Sequence, residues 1–315
     1  MTRLLVERAA QGLLTLLAVS ALLFFGTNLL PGDVASALLG QQATPEALHH
    51  IRAALGLDQP AWLRYAHWLG GAVHGDFGVS LTSARPVGAQ VLPRLGNTLL
   101  LAALAAIIAV PVAVGLGLVA AIREGRWLDR LISLLSLVTV SVPEFFVGYV
   151  LTLLFAVQLG WLPSLAVMHG GMGFAERIAS IALPVATLVI VVLAHMLRMT
   201  RSALLSVMSS PYIEMAFLKG LTRATVVVRH ALPNAAAPII AVVALNLGYL
   251  VVGVVVVEAV FVYPGAGQLM VDAVSKRDLP VVQACGLMFA ATYVGLNTLA
   301  DMLAIAVNPR LRRAE

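Results

Sequence analysis

Six long apolar runs dominate this sequence, at roughly 10–30, 97–121, 132–158, 178–198, 237–262 and 281–307. A helix needs about 20 mostly apolar residues to cross the hydrocarbon core of a bilayer. A chain with six such runs cannot hide them inside one water-soluble globule, because too much apolar surface would stay outside. Composition agrees: 60% of the residues are hydrophobic and 11% charged, against about 45–50% and about 25% in ordinary soluble domains. The expected fold class is all-α, a polytopic membrane protein with six transmembrane helices. Pro111, Pro143 and Pro184 fall within runs, and packed membrane helices tolerate them because neighbours satisfy the freed backbone groups. The first run follows Arg3 and Arg8, the charge order of a signal peptide. Its apolar length exceeds a usual signal core and no clear small-x-small cleavage site follows, so a retained helix is expected. The single cysteine, Cys285, excludes an intrachain disulfide and is read as a small packing residue.

The charge pattern sets orientation. Thirteen of the 20 Lys and Arg residues lie in segments that are internal if the N-terminus is inside, and seven lie outside. The positive-inside rule then puts both termini in the cytoplasm. The inner segments carry 13 basic and 5 acidic residues, the outer ones 7 of each. The net charge of +5 is thus a property of one face, scattered between apolar runs, and no nucleic-acid partner is expected. The chain divides into residues 1–30 with the first span, an outer segment 31–96, and a core 97–315 holding the inner loop 199–236.

Residues 31–96 are moderately polar, with a helix signal at Thr44, Pro45 and Glu46 that ends at Gly56. An ordered extracytoplasmic cap is expected there. In the inner loop, Ser210 can cap a helix with Pro211 at its first position. Ile213, Ala216, Phe217, Gly220 and Leu221 then repeat at i, i+3, i+4, i+7 and i+8, one apolar stripe on a segment too short to span. Ala216 and Gly220, one turn apart, leave room for a close-approaching surface. Two readings are open, a helix docked on a partner protein and a helix lying on membrane lipid.

Self-contained chemistry is not evident. The sequence has no G-x-x-x-x-G-K-[ST] and no H-E-x-x-H, so neither a phosphate loop nor a zinc-protease site is read. His49, His50, His67 and His74 share the outer segment without metal-ligand spacing. Ionisable groups inside spans are expensive and point to function or buried pairing. Those here are Glu144, Glu258 and Asp301, with Asn297 one turn before Asp301. They fit interhelical packing and end anchoring, or a proton relay in an ion-coupled secondary transporter. A membrane enzyme would need a nucleophile or metal constellation that the sequence does not offer.

The inner loop resembles a known element. Tyr212-Ile213-Glu214-Met215-Ala216, then Lys219-Gly220-Leu221, His230, Asn234-Ala235 and Pro238 are similar to the cytoplasmic loop of bacterial ABC-importer permeases. In that superfamily an E-A-A-x-x-x-G loop forms a coupling helix that docks in a groove of the ATPase. Here Met215 replaces a usual small residue, and Phe217 and Pro233 replace common Arg positions.

The likeness narrows to the dipeptide/oligopeptide/nickel binding-protein-dependent permeases. It is carried by Leu30-Pro31-Gly32-Asp33, Leu55-Gly56-Leu57-Asp58-Gln59-Pro60, Arg64-Tyr65, Trp68-Leu69, Gly75-Asp76-Phe77-Gly78, Ser80, Pro86-Val87, Arg94-Leu95 and Thr98-Leu99. It continues through Glu258-x-x-Phe261-x-x-Pro264-Gly265-x-Gly267, Arg277-Asp278-x-Pro280, Asn297-x-x-x-Asp301 and Asn308-Pro309-Arg310.

The chain is most similar to the first of two permease subunits, with dipeptide, oligopeptide and glutathione permeases nearest in appearance and nickel or another small solute as the alternative. The resemblance implies a second homologous permease, two ABC ATPases, an extracytoplasmic binding protein and a bacterial inner-membrane site surrounded by lipid. It implies no cofactor or catalytic residue in this chain, with ATP and Mg held by the ATPases. Tyr212, Ile213, Glu214, Ala216, Phe217, Lys219, Gly220 and Leu221 would be the coupling residues, and spans two to five would line the path. The segment 31–96 would contact the binding protein, narrow the outer gate or cap the assembly. Pro264–Gly267 would be a gate-side bend or a surface turn.

Overall fold

The computed structural model describes residues 2–29, 44, 46, 49, 58–168 and 170–307. Among these the chain is helical, and its strand-like pairing is an isolated antiparallel bridge between Val79 and Pro86. Helix α1 (Thr2–Asn28) packs along the last helix, α11 (Leu279–Val307). At one end Arg8 pairs with Asp301 at 3.4 Å, and at the other Gln283 Nε2 donates to Thr27 Oγ1 at 2.6 Å. The two are therefore antiparallel neighbours. The end holding Arg8 is called the basic end below.

Helix α2 (Ala61–Val73) lies against the far end of α1. The Tyr65 hydroxyl meets Ser20 Oγ at 2.8 Å, and the Tyr65 and Trp68 rings pack on Phe24 at 5.5 and 5.6 Å. Arg64 bonds Asn28 and sits 5.7 Å from the Phe24 ring centroid. Amphipathic rings at the end of a membrane helix suit the interfacial zone, where one edge is apolar and the other wet. The helix expected after Thr44 lies for most of its length outside the described residues.

The core is built on α3 (Val87–Ile122) and α6 (Phe174–Met208). With 36 and 35 residues, each is longer than the ~30 Å hydrocarbon core requires at ~1.5 Å per residue. The expected spans 97–121 and 178–198 lie within these rods. Ala102, Ala105, Ala109, Ala113, Gly117 and Ala120 are buried along α3. Their three- and four-residue spacing makes a smooth stripe, and a Cβ on Gly117 would lie 2.9 Å from the Thr200 side chain of α6. Lipid is as apolar as leucine, so close backbone approach is what favours such a pair.

The third expected span, 132–158, is not one helix. Helix α4 (Trp127–Val140) and helix α5 (Glu144–Leu151, continued by π-type turns Thr152–Gln158) meet at 104°. Pro143 lacks a donor N–H and keeps the residue before it out of the α region, so the helix stops at Ser141 and restarts at Glu144. Among the described residues, five helices are long and apolar enough to cross, and the bent pair makes a sixth when taken as one span.

Toward the basic end, α6 is followed by the short helix α7 (Pro211–Leu218). Helix α8 (Arg223–Val226), a π turn Val227–Ala231 and α9 (Leu232–Phe261) then form one long apolar rod. Arg201 grips Asp129 with two bonds, at 2.6 and 2.9 Å, tying α6 to α4. Arg223 reaches Glu124 and the Ala121 carbonyl at the end of α3. Helix α9 ends at Val262, whose φ of +52° is a strained left-handed value for a β-branched residue. Helix α10 (Ala266–Ser275) follows before α11.

Asp278, between α10 and α11, is buried and pins the loop before α3. It accepts from Ser80 Oγ at 2.5 Å, Thr82 Oγ1 at 2.8 Å and Leu81 N at 3.1 Å. Asp278→Ala strands these donors, each costing about 1–3 kcal/mol if left unmet. Amide exchange at Leu81 and Thr82 is expected to rise by about 30-fold or more, while Asp278→Asn, which keeps one acceptor, rises less. Unchanged exchange in Asp278→Ala would show that other contacts hold the loop.

Candidate functional site

Helix α7 is anchored on one side and bare on the other. Ser210 has extended backbone and Pro211 opens the helix, as its fixed φ allows. The Ser210 hydroxyl donates back to the Val207 carbonyl at 2.5 Å and makes no capping bond to the helix it precedes. Ile213 and Ala216 are buried in a cluster with Leu204, Val226, Val227, Ala231, Ala235 and Ile239. The Tyr212 hydroxyl lies 3.4 Å from the His230 carbonyl.

The expected single stripe is thus divided. Ile213 and Ala216 are used up within this chain, Leu221 is half-buried, and Phe217 and Gly220 face out. Gly220 is not a spacer on the helix face. The Gly220 N–H bonds the Phe217 carbonyl at 2.8 Å, and the Leu221 N–H bonds the Ala216 carbonyl at 3.3 Å. That is a Schellman termination, which needs a left-handed residue where Gly220 stands with φ +79°. The exposed surface left over consists of Tyr212, Glu214, Met215, Phe217, Leu218 and Lys219, with Leu218 75% and Met215 55% exposed.

The intramembrane polar residues do not form one cluster. Glu258, fully buried near the end of α9, accepts from Thr98 Oγ1 at 2.6 Å, Gly267 N at 2.7 Å and Gln268 N at 3.1 Å. Thr98 in turn accepts from Ala266 N at 2.9 Å. Asn97 Nδ2 donates to the Pro264 carbonyl, and the Tyr263 hydroxyl donates to the Asn97 carbonyl. A Cβ on Gly265 would sit 2.0 Å from Glu258, and one on Gly267 2.8 Å away. The Pro264–Gly267 turn is therefore wrapped around a carboxylate. Asp301 pairs with Arg8 of α1, and Asn297 lies near Gly248 of α9.

Glu144, at the start of α5, stands apart. Its Oε2 is buried and has no hydrogen-bond partner among the described residues. Among the described residues, no group of three His, Cys, Asp or Glu side chains is placed to hold a metal.

Reading from sequence missed several of these partners. Thr98 and Asp278 belong to the motif blocks, but nothing in their spacing says which acid or hydroxyl each meets 160 and 198 residues away. Asp129 and Arg201 carried no motif at all.

A long apolar helical bundle with a broken third span and a short helix held at its basic end defines a polytopic membrane protein. The family described as "Binding-protein-dependent transport system inner membrane component" matches residues 113–313. Its N-terminal counterpart, "Binding-prot-dependent transport system membrane comp, N-term", matches residues 1–102. The chain belongs to this family, as an ABC-importer permease subunit of the dipeptide/oligopeptide type. It is similar to the "Glutathione transport system permease protein GsiC" of Escherichia coli K12, at 37% identity over 312 residues and 99% of each chain. The proteins of the same name from Shigella dysenteriae and Shigella flexneri match equally well, at 37% identity and 99% of each chain.

Proposed function

We propose that this chain is the first of two permeases in an ATP-driven importer of small peptides of the glutathione type. Helix α7 is its coupling element. The observation that carries the coupling role is the two-sided helix: Ile213 and Ala216 rooted in the core, and Tyr212, Met215, Phe217 and Leu218 left bare beside Glu214 and Lys219. A helix rooted in this way passes displacement to α6 and α9, whose residues share its buried cluster.

ATP and Mg are held by two cytoplasmic ATPases, and both termini share their side. The segment 31–96 faces the binding protein on the other side. Each partner shifts the inward–outward equilibrium only by binding the two states unequally. The full-length likeness to glutathione permeases supports the substrate class.

The test is the assembled importer in liposomes with its second permease, ATPases and binding protein. Labelled glutathione is expected to accumulate only with ATP, and a simple dipeptide less well. Uptake sustained by an ion gradient without ATPases would overturn the reading. Uptake of nickel and not of glutathione would move the substrate while leaving the coupling.

A further inference from the structure

Beside Glu144 the structure opens a groove of about 500 Å³, whose lining includes Phe145, Tyr249, Val252, Gly253 and Tyr293 together with Glu144 itself. Clefts of about 300–1,000 Å³ hold small organic ligands. The lining comes from α5, α9 and α11. Glu144 and Phe145 reach the groove from the start of α5, just past the break at Pro143.

Three facts define its chemistry. The Glu144 Oε2 is buried without any hydrogen-bond donor among the described residues. The carboxylate lies over the backbone of α9, where a Cβ on Gly253 would sit 3.0 Å from Oε2, so a larger residue there would push it aside. Among the described residues no Lys or Arg lines the groove, while three aromatic rings do. A buried carboxylate oxygen without a donor is costly. The missing partner is a cation or a strong donor, and ring faces beside a carboxylate favour an ammonium group.

We propose that Glu144 is the specificity-determining residue of the solute path, receiving the ammonium group of a peptide-like solute between Tyr249 and Tyr293. This rests on the importer reading above. Glu144 differs from Glu258, whose oxygens are filled by the protein's own donors, and from Asp301, which Arg8 occupies.

Two measurements test it in the assembled importer. With labelled glutathione, Glu144→Gln is expected to cut uptake about tenfold or more, the loss of one charge-assisted bond, while Glu144→Asp retains most of it. Equal uptake by wild type and Glu144→Gln overturns the inference. Wild type that moves no glutathione overturns the substrate reading instead.

The second measurement needs no substrate. Tyr249→Cys, in a Cys285→Ala background, is labelled with a cationic trimethylammonium-ethyl or an anionic sulfonatoethyl methanethiosulfonate. The cationic reagent is expected to react about tenfold faster, since one fixed charge a few ångströms away favours the opposite sign in a low-dielectric cleft. Adding Glu144→Gln should erase the preference. Equal rates without Glu144→Gln overturn the inference. So does failure of both reagents, which would mean that lipid or the second permease fills the groove.

Discussion

Replacing Glu258 with alanine is expected to destabilise the chain by about 3–5 kcal/mol, from stranded donors and the volume left empty. Gly267 N and Gln268 N lose their acceptor, and Thr98 Oγ1 loses its strongest contact. Unmet buried donors cost about 1–3 kcal/mol each, and the empty volume adds to this. The same loss is expected from Gly265→Ala, whose Cβ would fall 2.0 Å from Glu258 and evict it.

Glu258→Gln is the informative contrast. Its amide oxygen can take the two backbone N–H groups, and its NH₂ can donate to Thr98 Oγ1, which still has a free lone pair beside the Ala266 N–H bond. A cost of about 1 kcal/mol and near-normal transport are therefore expected for the amide. Thermal melting of the detergent-solubilised importer reads the order wild type, Gln, then Ala. If Gln melts as early as Ala, charge and not acceptor geometry is what the turn requires, and the proton-relay reading of Glu258 regains force.

Sequence patterns revealed the elements of this chain better than their joins. Long apolar runs are a composition signal, so the spans could be found without any knowledge of neighbours. The 104° break at Ser141–Pro143 could not. Pro143 sits in an apolar run much as Pro111 and Pro184 do, yet α3 and α6 continue through theirs. Whether a proline kinks or breaks a membrane helix depends on what satisfies the freed groups, which is a tertiary property.

The same limit holds for α7. Its period of apolar residues said that one side is buried, but not that this chain itself would bury Ile213 and Ala216. Gly220 was noticed for its smallness, whereas its left-handed φ is what the helix end uses. Glu258 was legible as an expensive residue near a span end. Its partners are Thr98 on α3, 160 residues away, and the first turn of α10, nine and ten residues on, and no local pattern carries the pairing with Thr98.

The division of α7 into a root and a free face leads to the second large effect. Leu218→Asp should leave the chain's own melting within about 0.5 kcal/mol, since a surface substitution away from packing contacts rarely does more. Leu218 is 75% exposed. The same change should abolish ATP-driven uptake. Interface energy concentrates in a few apolar anchors that must be fully desolvated, and a carboxylate placed in such a groove has no partner. Phe217→Asp should act alike, while Ile213→Asp should unfold the basic end by burying a charge among Leu204, Val226 and Ala231. Co-purification of the ATPases with each variant, alongside uptake, separates the outcomes. Leu218→Asp that loses its ATPases but keeps its melting temperature is the expected result. Normal ATPase binding and uptake by both Leu218→Asp and Phe217→Asp would mean that the bare face of α7 is not where the ATPase docks. Coupling would then have to run through another element of the basic end, such as the turn that holds Arg223 against Glu124.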